Sequence, residues 1–595
     1  MRVHAIRVRP SVVRAELMLR EHGMHPLLAR LYASRGIVDS SEAGGGLDQL
    51  LRPDLLLNSD KAAALLADSI EAGERLLIVA DYDCDGATAC AVGLRALRAM
   101  GAHVDYIVPD RFKLGYGLSA ELVEQCLPLR PDLIITVDNG IASIAGVAYA
   151  NRHGIRTLIT DHHLSADQLP LATCIVNPNQ PDCRFPSKSL AGVGVMFYVM
   201  LALRAEWRRR AAGVPAPAAA RANNSAPAAA ATSTDPGVSA LAHARGEVRL
   251  ADLLPLVALG TVADVVPLDR NNRILVSQGL SRIRAGKLPG GMRALFAAAG
   301  RDPRRATSDD LSFGLAPRIN AAGRITDMSI GIEALTADDE TAALELARRL
   351  DTLNAERRVI QADMAQLAET MVPRELDAAT TTLTLYDPDW HQGVIGIIAG
   401  RIKDQRHRPT FVFAPAEGGT LRGSGRAIAG FHLRDCLDLV SKAAPDLLLR
   451  FGGHAAAAGA TIPADRIDEF RTLFEQVARR IIDPQTLERE ILTDGPLDTA
   501  QLSLDCARLL EAQIWGQGFA PPLFSDHCQV VSQKLVGGKH TKARMRVAGA
   551  TLEAIQFNSV EPLPAVIHAA FRLAVSEYNG LAQVQLVIEH WEAPS

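Results

Sequence analysis

Cysteine is scarce and unpatterned: the 595-residue chain carries eight, with no CxxC pair and no even spacing. That argues against a disulfide framework and a thiolate zinc site, and fits a reducing compartment, the cytoplasm. Long apolar runs are missing as well, since no stretch approaches the ~18 uninterrupted apolar residues of a membrane span. The opening MRVHAIRVRPSVVRAE has no apolar signal core, so neither secretion nor membrane insertion is expected. Positive charge is not in excess either. With a formal net charge of −4, the protein cannot hold nucleic acid by bulk electrostatics, and any such grip must be local. No G-x-S-x-G elbow occurs, and GSGRA at 423–427 lacks its spacing, which disfavours a Ser–His–Asp hydrolase.

What is present reads as a globular, multidomain chain, 48% hydrophobic and 22% charged, long enough for about three to four folding units. Residues 1–70 have helical spacing and are expected to form a helical cap on the neighbouring unit. From 71 to 335 short runs such as LLIVAD, LIITVD and TLITD alternate with helical segments, the pattern of a parallel α/β sheet. Within it, 211–245 is almost wholly Ala, Pro, Ser, Asn and Thr, a composition that predicts a disordered insertion. A long connecting helix is expected over 336–375, a second α/β unit over 376–480, and a small β-barrel over 481–595.

The sharpest local feature is LLIVADYDCDG, a strand running into Asp81, Asp83 and Asp85. Strand alternation would put the three carboxylates on one side, where their repulsion calls for a cation. Cys84 should alternate away and pack. An EF-hand loop fits poorly, because a strand precedes the motif and no glutamate holds the twelfth position. Two more strands end alike: LIITVD in Asp138, followed by Asn139 and Gly140, and TLITD in Asp161, followed by His162 and His163. Ligands of open parallel sheets bind beyond the carboxyl ends of the strands. One such Asp is usually a helix cap; three in succession beside two histidines predict a metal cleft. Carboxylates with an imidazole suit Mg²⁺ or Mn²⁺, the nitrogen tilting the choice toward Mn²⁺.

DYDCDG, VDNG, DHH and the later GTVADVVPL resemble, in this order, the four motifs of the DHH phosphoesterase superfamily. The resemblance implies two metal ions sharing Asp138, with Asp83 and Asp85 on one ion each and His162 and Asp264 completing the second site. Many relatives carry a histidine where this chain has Val79, so the first ion is expected either to be held less tightly or to use Asp81 instead. His163 is expected to touch the scissile phosphate, and Asp161 to orient the imidazoles. Two such ions would activate a water and neutralise the phosphoryl group during in-line hydrolysis. Asp264 has an ordinary alternative as a turn before Pro267.

GGHAAAAG, with His454, resembles the DHHA1 domain, its alanines suited to tight helix packing. Ser424 and Arg426 of GSGRA, with Arg318 and Arg324 of APRINAAGRI, are implied as a 5′-phosphate pocket, Arg318 and Arg324 having the alternative of ordinary salt-bridge partners. Lys534, Lys539, Lys542, Arg544 and Arg546 fall in a stretch without acids that resembles the OB barrel of the RecJ family, a single-strand binder. The implied architecture is α/β: a parallel-sheet DHH domain, a DHHA1 domain joined by a long helix, and a C-terminal OB-type barrel. The implied activity is a single-stranded-DNA-specific 5′ to 3′ exonuclease of DNA repair and recombination, monomeric, with a single-strand-binding protein and a helicase as partners. The alternatives are a phosphodiesterase for short oligonucleotides or cyclic dinucleotides, and a non-catalytic DNA-binding scaffold.

Overall fold

The computed structural model describes residues 5–110, 114, 116–165, 168–215, 236–373, 376–377, 379–578 and 580–593. They form two compact units: Val12–Asn354 with Leu510–Pro521, and the chain up to Ser11 with Ala355–Leu509 and Pro522–Ser595. The chain starts in β1 (Ala5–Val8), which pairs in parallel with β12 (Glu490–Thr493). Its first residues thus complete the second unit, a correction to the helical cap expected from residue 1. Helices begin at Val13–Glu21 and Pro26–Ala33. The latter buries Tyr32, which meets Trp515 and Phe519 edge-on at 5.7 and 5.2 Å; Arg35 Nε donates to Ala520 O at 2.7 Å.

The first unit is centred on β2 (Arg75–Ala80), β3 (His103–Ile107), β4 (Leu133–Val137), β5 (Arg156–Thr160) and β6 (Cys174–Val176), all parallel, in the order β3-β2-β4-β5-β6. β4 is buried at every residue, as expected of a sheet covered on both faces. The chain reverses its direction of travel at β2, so a crevice opens between the carboxyl ends of β2 and β4. Helix Cys84–Ala99 packs against the helices Gly192–Ala211 and Leu254–Ala263. The last of these is buried from Leu254 to Thr261, consistent with its apolar surface all round.

The disordered insertion is corrected at its end. Residues 216–235 lie outside the described ones, but Pro236–Gly246 is a helix, with Pro236 at its first position, where a missing N–H costs nothing. Arg245 lies over the buried Trp207 ring at 4.6 Å, and Arg208 Nε donates to Gly246 O at 2.9 Å. Composition alone could not reveal these anchors.

The helix Glu340–Met371 carries the chain into the second unit. There β7 (Leu383–Tyr386) and β8 (Thr410–Ala416) run parallel, while β9 (Thr420–Arg426), β10 (Arg450–Gly453) and β11 (Ala457–Pro463) complete the order β10-β11-β9-β8-β7. Phe411, Phe413, Phe470 and Phe474 fill its core. GGHAAAAG is a strand–turn–strand between β10 and β11, not the helix-packing segment its alanines suggested. The chain ends in β13 (Phe524–Val536), β14 (His540–Val547), β15 (Ala550–Gln556), β16 (Val566–Tyr578) and β17 (Leu581–Glu592), a closed barrel in the order β13-β14-β15-β17-β16. Among the described residues no helix is long and apolar enough to cross a membrane.

Candidate metal centre

The three aspartates of DYDCDG do not alternate along a strand. β2 stops at Ala80 and a helix starts at Cys84, so each carboxylate has a different setting. Asp81 follows the strand directly. Asp83 caps the helix, its Oδ1 accepting from the N–H groups of Asp85 and Gly86 at 2.9 and 3.0 Å. Asp85 stands in the first turn, rotated roughly 200° from Asp83 by two helical residues, and its oxygens accept from Gly192 N at 2.6 Å and Val193 N at 2.9 Å. The same rotation buries Cys84.

Asp138, directly after β4, has the left-handed φ of 64°, a conformation Asp and Asn adopt more readily than other side-chain-bearing residues. Its N–H donates to Thr160 O at 3.0 Å, which locks the bend. His162 Nε2 lies 3.1 Å from Asp138 Oδ1 and 3.5 Å from Asp264 Oδ2, Asp264 capping the C-terminus of the buried helix Leu254–Ala263. Two triads result. Ligand atoms of Asp81, Asp83 and Asp138 lie within 4.8 Å of one another, as do those of Asp85, His162 and Asp264. Asp138 and His162 join them. Val79 is buried within the sheet core, and Asp81 supplies the first triad's third carboxylate.

Burial, then repulsion from neighbouring carboxylates, raises Asp138 and Asp264 well above the ordinary carboxylate range and pushes Asp85 up to about 7. Such a group is unfavourable without a cation, and five carboxylates with one imidazole are a hard donor set. The residues fit divalent Mn²⁺ or Mg²⁺. Glycines make room for them: a Cβ on Gly192 would sit 2.5 Å from Asp138 Oδ1, and one on Gly260 2.9 Å from Asp85 Oδ1.

Asp161 is buried, and its Oδ1 accepts from His163 Nδ1 at 2.7 Å and from the backbone N–H groups of His162 and His163 at 2.7 and 3.1 Å. Its side-chain hydrogen bond orients the His163 imidazole, and its oxygen also holds the His162 backbone. Burial opposes the His163 charge, but the Asp161 hydrogen bond and charge prevail and lift it to about 8; burial likewise works to raise Asp161, and His163 holds it low.

Sequence reasoning overlooked two residues here. The Tyr116 hydroxyl donates to Asp138 O at 2.9 Å and lies 3.1 Å from His163 Nδ1; its place after β3, at the carboxyl edge of the sheet, was the available signal. Asn320 accepts from Cys84 N at 2.8 Å, fixing the start of the metal-bearing helix. Its neighbour Arg318 is buried, with its fork engaged by Asp351 at 2.8 Å and Gly314 O at 2.5 Å. In this state Arg318 is held by an ion pair, while its buried Nε has no hydrogen-bond partner. Arg324 lies in the last turn of the same helix, half-buried.

Ser424 and Arg426 stand together on β9 in the second unit, where Arg426 Nη1 donates to Ser424 Oγ at 3.0 Å. Gly396, in the first turn of helix Ile395–Arg406, leaves them space, since a Cβ there would lie 2.9 Å from both side chains. His454 is exposed in the β10–β11 turn. On the barrel, Lys542 pairs with Glu553 at 3.0 Å and Arg544 approaches it at 3.9 Å, so the neighbouring strand neutralises part of the basic stretch. Lys534, Lys539 and Arg546 are exposed.

Residues 75–221 match the DHH family N-terminal domain, 378–480 the DHHA1 domain and 493–590 the RecJ OB domain. The single-stranded-DNA-specific exonuclease RecJ of Escherichia coli (strain K12) is 43% identical over 95% of each chain. The exonuclease of the same name from Bacillus subtilis (strain 168) is 30% identical over 98% of this chain and 70% of its own. The crystal structure of RecJ in complex with Mn²⁺ from Thermus thermophilus superposes with a TM-score of 0.79 at 28% identity, covering 100% of this chain and 80% of the other. A site of two carboxylate triads, one of them with an imidazole, in a DHH domain followed by DHHA1 and a RecJ barrel, has one family behind it: the chain belongs to the RecJ family of DHH phosphoesterases.

Proposed function

We propose that this protein is a metal-dependent exonuclease specific for single-stranded DNA, degrading it 5′ to 3′ to mononucleotides in DNA repair and recombination. The observation that carries the reading is the pair of triads joined through Asp138 and His162. Asp81, Asp83 and Asp138 would hold one Mn²⁺ or Mg²⁺, and Asp85, His162 and Asp264, with Asp138 shared, the other. When bound, the ions lower the pKa of a water and offset charge on the phosphoryl group. The chain's own residues position these groups: Asp161 aims His163 at the cleft to hold a phosphate oxygen and favours its charged form, and Tyr116 braces both the Asp138 backbone and that imidazole. Ser424 and Arg426, with His454, are the phosphate-binding candidates of the second unit, where the guanidinium fork suits a terminal phosphate. Eight free buried cysteines support the cytoplasm as the site of action; a monomer working with a single-strand-binding protein and a helicase completes the reading.

The test is degradation of 5′-labelled and 3′-labelled single strands and duplexes with Mn²⁺. Mononucleotides released from the labelled 5′ end of single strands only are expected. Degradation from the 3′ end, or hydrolysis confined to dinucleotides, would refute the proposal.

Two further outcomes are expected. Asp85, raised to about 7, retains a proton below that pH, where metal must compete for the carboxylate. Its folded value lies above the unfolded one, so the metal-free protein loses stability as pH rises through about 7. Mn²⁺ should therefore raise the melting temperature more at pH 8 than at pH 6; equal increments would show that Asp85 is not a ligand. On the barrel, Lys534→Ala with Lys539→Ala should weaken binding of a single-stranded oligonucleotide and lower the slope of log affinity against log salt by about one to two, read by fluorescence anisotropy. Lys542→Ala should do less, because Glu553 already neutralises Lys542.

A further inference from the structure

The metal centre leaves unexplained a second polar concavity in the first unit. A cavity of about 490 Å³ lies among the C-terminal part of helix Gly192–Ala211, the segment 247–252 and the end of helix Arg270–Arg284. Its wall carries five cations, Arg204, Arg208, Arg249, Arg282 and Lys287, against two carboxylates, Glu247 and Asp252. Its volume is in the range of small-molecule sites. Some of this charge is satisfied internally: Arg208 reaches Glu247 at 3.3 Å, and Arg282 Nη1 donates to Gln278 O at 3.0 Å. Arg204, Arg249 and Lys287 are different, for among the described residues none of their side chains makes a direct hydrogen bond or ion pair, and Arg204 feels Glu247 only through space.

Arg204 is the informative one. It is half-buried, and burial followed by the charge of Arg208 pulls its guanidinium below its ordinary value; Glu247 opposes this only in part, two carboxylates facing five cations around the cavity. Partly withdrawing one guanidinium from water beside another is unfavourable unless an anion offsets it. A simple solvated surface would let Arg204 extend away from its neighbour; here it faces a concavity with Arg249 and Lys287 around it. Forked and point-charge donors converging on one space match the oxygens of a multiply charged phosphate group.

We infer that this cavity is a phosphate-binding site separate from the metal centre, taking either backbone phosphates of a single strand or the phosphates of a free nucleotide. Arg204 lies twelve residues along its helix from Gly192, about 18 Å, so the site is distinct from the one Gly192 helps build.

The experiment measures binding of two probes in EDTA, which removes metal-dependent binding and cleavage: inorganic tripolyphosphate by calorimetry, and a fluorescent single-stranded oligonucleotide by anisotropy. The variants are Arg204→Ala with Arg249→Ala, and separately the exposed Lys287→Ala, which guards against a misfolded double variant. Arg426→Ala serves as the control for the second unit. Tripolyphosphate affinity is expected to fall at least about tenfold in the double variant and severalfold in Lys287→Ala, with melting temperatures unchanged. A parallel loss of oligonucleotide affinity assigns the cavity to the strand; loss for tripolyphosphate alone assigns it to a free nucleotide. Unchanged binding of both probes in these variants, or absence of tripolyphosphate binding by the wild type, overturns the inference.

Discussion

Asp138→Asn is expected to lower the rate of single-strand degradation at least about 10³-fold while leaving the metal-free protein more stable than the wild type. The two effects have one origin. Asp138 belongs to the first triad and touches His162 of the second, so a neutral amide removes negative charge from both. Without metal the same charge is a liability, since burial and then Asp85, Asp83 and Asp264 raise Asp138 well above the usual carboxylate range. Asparagine relieves that repulsion and, like aspartate, tolerates the left-handed φ of 64°; alanine would add backbone strain and confuse the comparison. The measurements are nuclease rate with Mn²⁺ and thermal melting in EDTA and in Mn²⁺. The variant should melt higher in EDTA and gain less from Mn²⁺ than the wild type. An active variant would remove Asp138 from the mechanism, and a less stable metal-free variant would contradict the electrostatic account.

Gly192→Ala is the second substitution with a large expected effect, although it adds only a methyl group. A Cβ at that position would lie 2.5 to 2.7 Å from Asp138 Oδ1, Cβ and Cγ. Something must move, and both candidates matter: Asp138 is a proposed ligand, while the Gly192 N–H holds Asp85 Oδ2 at 2.6 Å. Overpacking of this kind costs about 1–3 kcal/mol, and a ligand displaced by an ångström costs roughly 10²-fold in rate. The variant should therefore remain folded, bind Mn²⁺ weakly and cut slowly, as judged by calorimetry and end-labelled DNA. Wild-type metal affinity and rate would show that the helix start yields without disturbing the carboxylates.

These two residues mark how far the sequence was legible. Asp138, Asp161, His162 and His163 could be found because each follows an apolar run that can only be a buried parallel strand, and strand ends converge by topology. Asp264 was found only by resemblance, since a helix end far along the chain has no local signature. Asp83 and Asp85 were identified, but their alternation was misjudged: the strand ends three residues before Asp83, and the helical turn sends Asp85 to the other triad. Gly192 was invisible because its role is to be small next to a residue 54 positions away. Arg318 and Asn320 share one motif, and the conspicuous arginine is held by Asp351 while the plain amide anchors the metal-bearing helix. Charge attracts attention in a sequence; burial decides its use. Glu553 makes the same point, since the basic stretch looked uncompensated until β15 came to lie beside it.

The interleaving of the chain has a consequence for how the protein is made. The first unit needs Trp515 and Phe519 against Tyr32, and the second needs β1 beside β12. At a synthesis rate of about 5–20 residues per second, the ribosome takes roughly half a minute to two minutes to reach those late segments. Throughout that time the N-terminal strand and the surface around Tyr32 await partners not yet translated. Neither unit can therefore complete its packing until nearly the whole chain has been synthesised.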